Sequence, residues 1–163
     1  MTELRRGESR LPEVRRILLE WIAEARGSLD QKRVTDSRIH EARKQLKKAR
    51  AALRLLRGAI GETAYRRENA ALRDAARPLG LARDSKVLVA ALDDLVDQYA
   101  PTKHPLQLRK FRRALQKEQT AARAAITATS INKQRKSLRE VSARIERWRL
   151  RGEQWQVIGD GLE

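Results

Sequence analysis

One stretch of the sequence, from residue 39 to residue 60, contains eight side chains that can bind an anion. Its cationic side chains recur every three or four residues. They are His40, Arg43, Lys44, Lys47, Arg50 and Arg54, with Lys48 and Arg57 at the margins. Each residue of an α-helix advances by about 100°, so this spacing places them on one helix face. Arginine donates paired hydrogen bonds to phosphate oxygens and lysine supplies a point charge, so the face suits a polyanion.

The opposite face of the same stretch is apolar. Its members follow one another at steps of three and four residues: Ile39, Ala42, Leu46, Ala49, Leu53, Leu56 and Ile60. This periodicity predicts a single amphipathic helix whose apolar face packs against the core. Residues 35–37 supply N-cap candidates, and Gly58 and Gly61 offer an end to the helix. We therefore place this long basic helix at the centre of the fold.

The overall charge favours an anionic partner. The chain has 37 Lys and Arg against 21 Asp and Glu, which gives a net charge of +16 at pH 7. A charged helix face is ordinarily only solvated, but such faces mix both signs, whereas this one is nearly all positive. Its cations repel one another, and a bound polyanion relieves that repulsion.

Composition excludes several kinds of site. The 163 residues include no cysteine and only two histidines, His40 and His104. The sequence therefore excludes thiol catalysis, disulfides and cysteine-ligated metals, and a histidine-rich metal site is not expected. We expect neither a metal nor a cofactor.

The sequence gives no sign of a membrane segment. No apolar run approaches the roughly 20 residues that span a bilayer, and the N-terminus lacks the apolar core of a signal peptide. We expect a cytoplasmic protein with no membrane partner.

Helical periodicity predicts five further helices around the basic one. Their expected ranges are residues 12–27, 62–79, 84–99, 106–128 and 132–150. Pro78 and Gly80 are expected to separate the helix at 62–79 from the next, which Asp84 would cap. Because no segment alternates with a strand period, we expect an all-α antiparallel bundle of five to six helices.

Domain organisation is expected to be simple. Residues 1–10 are predicted to form a polar tail, and residues 11–163 a single helical domain. Trp155, Val157 and Ile158 suggest a short packed turn near the end of the sequence.

The same periodicity assigns inward and outward positions on the later helices. Apolar residues expected in the core are Val87, Leu88, Ala91, Leu92, Leu95, Val96 and Tyr99 of the helix at 84–99, and Leu108, Phe111, Leu115, Ala122 and Ile126 of the helix at 106–128. Two further basic stripes are expected on outer faces: Arg66, Arg73 and Arg77 on one helix, and Lys110, Arg113 and Lys117 on another.

Two linked motifs resemble a known family. The order His40-x-x-Arg43-Lys44-x-x-Lys47-Lys48 is similar to the signature of the CHAD family, the conserved-histidine α-helical domain. Downstream, Leu79-Gly80-x-x-Arg83-Asp84 resembles that family's Arg-Asp motif. The resemblance covers residues 14 to 158.

The resemblance implies both a fold and a ligand. It implies two pseudo-symmetric helical bundles around a basic cavity that binds inorganic polyphosphate, often beside a triphosphatase-type domain or at polyphosphate granules. From the length of this sequence we expect only the first bundle, so the sequence is either a fragment or a one-bundle form in which a homodimer replaces the second bundle.

These observations together predict a non-catalytic module that binds polyphosphate or another polyanion. The predicted binding residues are His40, Arg43, Lys44, Lys47, Lys48, Arg50, Arg54, Arg57, Arg66, Arg73, Arg77, Arg83, Lys110, Arg113 and Lys117. In this interpretation His40 lies at the centre of the basic face and donates a hydrogen bond to phosphate.

Two alternatives remain open at this stage. Sequence-independent binding of nucleic acid would use the same cations, although aromatic residues are only 4% of the chain and offer no evident stacking platform. A phosphohydrolase would hold Mg²⁺ with Asp93, Asp94 and Asp97, but no general base or glycine-rich phosphate loop accompanies them. The outward-facing aspartates are more simply explained as a solvated surface.

Overall fold

The protein is a bundle of α-helices. A computed structural model describes residues 10–30, 34–99 and 106–150, and helices account for 91% of these residues, with no β-strand among them. The helices are α1 (Arg10–Leu29), α2 (Asp36–Leu55), α3 (Arg57–Ile60), α4 (Glu62–Tyr99), α5 (Leu106–Ala124) and α6 (Ala128–Glu146). The all-α prediction is therefore confirmed. Residues 1–9 of the expected tail and the expected turn at Trp155, Val157 and Ile158 lie outside the described residues, whereas Arg10, predicted to end the tail, is the first residue of α1.

Within the described residues, four elements supply most of the hydrophobic core: α1, α2, the first half of α4, and α6. Leu18, Leu46, Leu72 and Leu138, one from each, are completely buried. On α2 the buried positions are Ile39, Ala42, Leu46, Ala49, Ala52 and Leu53, which confirms the predicted apolar face. Ion pairs join Asp36 to Lys86 and Arg43 to Asp84, and a hydrogen bond joins Arg50 to Asn69. Because later residues of α2 contact earlier residues of α4, the two helices run antiparallel.

The ends of α2 follow from local chemistry. Thr35 is the N-cap, and its hydroxyl accepts a hydrogen bond from the Arg38 backbone N–H. The predicted single helix from residue 39 to residue 60 is wrong in one detail, because it is interrupted at Leu56, whose N–H bonds to the carbonyls of Arg54 and Leu53. Gly61 then ends α3 with φ of 81°, a conformation that glycine adopts without a steric cost.

The predicted break at Pro78 and Gly80 is also wrong, since α4 continues through both residues. An internal proline removes one backbone hydrogen bond and costs about 3 kcal/mol. Leu72 before it and Leu79 after it are both completely buried in the same core, and burial of each contributes about 1.5 to 3 kcal/mol. Asp84 therefore lies inside a helix and caps nothing.

The second half of α4 and helix α5 form an antiparallel pair that extends from the core, here named the α4–α5 hairpin (residues 81–99 and 106–124). Arg112 of α5 makes two hydrogen bonds to the Asp93 carboxylate, with N–O distances of 2.6 and 2.8 Å. The turn to α6 is set by a capping box, in which Thr127 and Ser130 exchange side-chain and backbone hydrogen bonds. Helix α5 therefore ends at Ala124 and helix α6 begins at Ala128, each about four residues earlier than predicted.

Several side chains of the hairpin that were predicted to be inward are exposed. They are Val87, Leu88, Leu95 and Tyr99 of α4 and Phe111 of α5, with exposed fractions of 43 to 74%. Those assignments are wrong because, within the described residues, no helix covers this side of the hairpin.

Candidate anion-binding groove

A groove between α2 and α4 contains the centre of the predicted basic face. It has a volume of about 510 Å³, and its lining residues are His40, Arg43, Lys44, Lys47 and Arg50 of α2 with Ala76 of α4. The α4 side of the groove is small and uncharged at Ala76, so the cationic side chains project over it without an opposing carboxylate at that position. The structure thus brings together five of the fifteen predicted binding residues.

Two arginines of the groove are held by partners on α4. The Arg43 guanidinium binds Asp84 through both terminal nitrogens, with N–O distances of 2.9 and 3.1 Å. Arg50 donates a hydrogen bond of 2.9 Å from Nε to the Asn69 side-chain oxygen. The Asn69 contact fixes the direction of the planar Arg50 donor along the groove, which limits the entropy it loses when it binds an oxyanion. The Asp84 carboxylate, in contrast, occupies both terminal nitrogens of Arg43.

The remaining cations of this face differ in how they are neutralised. Lys44 pairs with Glu41 at 2.7 Å, and that contact lowers the pKa of the Glu41 carboxyl. Lys47 and Arg54 make no hydrogen bond or ion pair to any described residue and are exposed. His40 is exposed at one end of the groove. Lys47, Arg54 and His40 are thus the donors most available to a ligand.

Other predicted binding residues of α2, α3 and α4 lie outside the groove. The Lys48 ammonium nitrogen lies 5.6 Å from the centre of the Trp21 ring on α1. Arg57 and Arg66 both bind Glu62, whose pKa they lower through these hydrogen bonds. The members of the predicted stripe at Arg66, Arg73 and Arg77 are exposed, Arg73 pairs with Asp74, and none of the three lines the groove.

Arg83 lies beside a second cavity, at the N-terminal end of α2. This cavity of about 440 Å³ includes Asp36, Lys86 and Arg123 in its lining. The Lys86 ammonium binds Asp36 at 2.6 Å and is the main reason that the pKa of Asp36 is lowered, with smaller contributions from Arg123 and Arg83. Since its cations already share one carboxylate, this cavity is less positive than the groove.

The predicted stripe on α5 is separate from the groove. Lys110, Arg113 and Lys117 are exposed on a helix that packs mainly against the second half of α4. None of them is in the lining of the groove. The structure therefore does not place them with the residues of α2.

The aspartates that were considered as Mg²⁺ ligands do not form a metal site. Asp93 binds Arg112, which lowers the pKa of that carboxyl, and Asp97 lines the adjoining cavity with Arg109. Among the residues that the structure describes, no three His, Cys, Asp or Glu side chains lie close enough together to hold a metal ion.

Sequence reasoning missed the α4 side of the groove. Asp84 and Asn69 are 41 and 19 residues away from their arginine partners, so no local pattern indicates these contacts. A signal was present in Ala76 and Gly80, small residues one helical turn apart, where an added Cβ at Gly80 would lie 3.6 Å from Arg43 Nε. Gly80 was interpreted as a helix breaker and as part of the Leu79-Gly80-x-x-Arg83-Asp84 motif, but not as part of the groove wall.

Comparison with known proteins identifies the family of this chain. The family model described as CHAD domain matches residues 14–161. Neither a curated protein nor a solved structure matches the chain. No described helix combines the length and the apolar character needed to cross a membrane.

Proposed function

This chain belongs to the CHAD domain family, and on that basis we propose that it is a non-catalytic module that binds inorganic polyphosphate in the groove between α2 and α4. The observation that carries the proposal is the arrangement of His40, Arg43, Lys47 and Arg50 along one open groove. A cytoplasmic location at polyphosphate granules is part of the same proposal.

The shape of the groove favours a flexible polyanion over a stiff one. Polyphosphate is a single chain with a charge on each unit, and it bends to follow a helix face. Duplex DNA is stiff over about 50 nm and presents its phosphates on a fixed cylinder. A groove between two helices admits polyphosphate more readily than duplex DNA, so binding of duplex DNA is the less favoured alternative.

The first test is a competition experiment with duplex DNA. At about 0.15 M salt, unlabelled polyphosphate should displace labelled duplex DNA, and duplex DNA at equal phosphate concentration should fail to displace labelled polyphosphate. Both affinities are expected to fall with salt because counterions are released, so salt sensitivity alone does not distinguish them. The reverse ranking would replace the proposal with a nucleic-acid function.

A second test asks whether the polymer binds to the basic face of α2, which includes the groove cations and Arg54 one turn beyond Arg50, or to the total charge. Replacing Arg43, Lys47 and Arg54 together by Gln should lower polyphosphate affinity by on the order of a hundredfold, since each contact charge contributes about 1 kcal/mol. The matched control replaces Lys136, Arg139 and Arg147, three exposed cations on or just after α6, and makes the same change in net charge. Equal losses in the two variants would indicate diffuse attraction and overturn the site assignment.

A further inference from the structure

Helix α4 belongs to two separately packed parts of the molecule. Before its midpoint, Leu72, Ala75 and Leu79 are members of the hydrophobic core. After it, Val89 and Leu92 are buried without being members of that core, and this half of the helix packs against α5. Along α4, the hydrophobic core therefore ends where the α4–α5 hairpin begins.

Both connections between the core and the hairpin lack regular helical hydrogen bonding. On α4, Pro78 has no backbone N–H to donate to the Asp74 carbonyl, and Gly80 adds backbone freedom because it has no side chain. Between α5 and α6, residues 125–127 are not helical. Sharp bends in helices occur mostly at proline and at glycine. The two connections are therefore the points at which the hairpin can turn as a unit relative to the core.

Ion pairs hold the hairpin against α2. Asp84 binds both terminal nitrogens of Arg43, at 2.9 and 3.1 Å, and Lys86 binds Asp36 at 2.6 Å. Arg123 of α5 lies 3.4 Å from the same Asp36 carboxylate. These side chains are 38 to 56% exposed, and ion pairs so exposed stabilise a fold only weakly. A ligand that competes for one of these groups therefore changes how firmly the hairpin is held.

We propose that the hairpin turns about Pro78 and Gly80, and that a polyphosphate chain in the groove releases it by taking Arg43 from Asp84. The inference rests on the proposed function. A phosphate gains both terminal nitrogens of Arg43 only when the ion pair with Asp84 is broken. The bound phosphate also repels the Asp84 carboxylate, which lies beyond Gly80, on the part of α4 that turns. The ligand thus binds the turned conformation more tightly, which is the condition for shifting the population toward it.

The remaining contacts limit the movement. The Lys86 pair with Asp36 stays outside the lining of the groove, and so does Arg123, which donates a hydrogen bond of 2.5 Å to the Val34 carbonyl. A ligand in the groove leaves these contacts in place, so we expect a limited rotation of the hairpin. Repulsion between a phosphate and Asp84 supports a shift of about fivefold in the ratio of turned to unturned molecules.

The test measures a distance across the hinge. The chain has no cysteine, so spin labels can be placed on the exposed positions of the variant Gln98→Cys/Lys136→Cys, one label on the hairpin and one on α6. Residue 98 lies about 27 Å along the helix from Gly80, so a rotation of about 10° moves it by about 5 Å. Polyphosphate should shift or broaden this distance distribution and leave that of the control Ala23→Cys/Lys136→Cys, on two core helices, unchanged. Labelled protein that binds polyphosphate in calorimetric titrations without any change in the first distance would overturn the proposal.

Two substitutions separate the hinge from the proposed function. Without polyphosphate, Asp84→Asn should broaden the distance distribution across the hinge, whereas Asp97→Asn, with the same change in net charge, should not. Pro78→Ala restores the backbone hydrogen bond and should reduce the response to polyphosphate by at least half, whereas Pro12→Ala near the start of α1 should leave it unchanged. A chain that failed to bind polyphosphate would refute the proposed function. An unchanged distance in Asp84→Asn would overturn the hinge contact whether or not the polymer binds.

Discussion

The contact between Arg43 and Asp84 makes a specific prediction about ligand affinity. Both terminal nitrogens of Arg43 are engaged by the Asp84 carboxylate, at 2.9 and 3.1 Å, on side chains that are 41 and 56% exposed. An ion pair this exposed contributes about 0 to 1 kcal/mol to folding. A phosphate that approaches Arg43 must therefore compete with a carboxylate that also repels it. Asp84→Asn should relieve both effects while keeping the side chain's size.

The expected gain in affinity is about 1 to 2 kcal/mol. Two unit charges 4 Å apart interact by about 1 kcal/mol in bulk water and by about 4 kcal/mol at an effective dielectric constant of 20, so a half-exposed site lies near the lower end. This corresponds to roughly a fivefold to thirtyfold lower Kd for polyphosphate. Isothermal titration calorimetry at about 0.15 M salt measures the change, and repeating it at higher salt should reduce it.

The matched control is Asp97→Asn, which makes the same change in net charge farther along α4, at a different cavity. It should leave the Kd nearly unchanged. Equal gains from the two variants would mean that only total charge matters. A loss of affinity in Asp84→Asn would show that Asp84 orients Arg43 for the ligand, and it would refute the argument from competition.

Three predictions concern the fold itself. Leu53 is completely buried on α2, so Leu53→Ala should lower the free energy of unfolding by about 2 to 5 kcal/mol in urea titrations. Glu68 is fully buried and accepts two hydrogen bonds from Arg144, at 2.8 and 2.7 Å, and one from Arg67, at 2.8 Å. Arg144→Met leaves only the Arg67 contact and should destabilise by about 2 kcal/mol, and adding Glu68→Leu should restore most of that loss. The pKa of Asp36 is lowered mainly by its hydrogen bond with Lys86. The stability that Asp36 contributes is therefore present above the ordinary pKa of the group, near 3.8, and is lost as the pH falls below that value. Asp36→Asn should therefore show a smaller loss of stability between about pH 5 and pH 2 than the unchanged chain.

The features that were predicted correctly depend on neighbours in the sequence. The apolar face of α2 and the cap at Thr35 follow from residues within a few positions of one another. The continuity of α4 through Pro78 does not follow from nearby residues, because burial of Leu72 and Leu79 against other helices outweighs the local cost of proline. The exposure of Phe111 could not be predicted either, since periodicity identifies an apolar face but not whether any helix covers it.

The candidate site was predictable to the same extent. The cationic face of α2 could be identified from spacing alone. The α4 wall of the groove depends on contacts between residues that are far apart in the sequence, of which Arg43 with Asp84 is the clearest. The same contacts decide which of the fifteen predicted cations lie in the groove and which lie elsewhere. A stripe such as Arg66, Arg73 and Arg77 has the same composition as the groove face, and only the packing of α2 on α4 separates them.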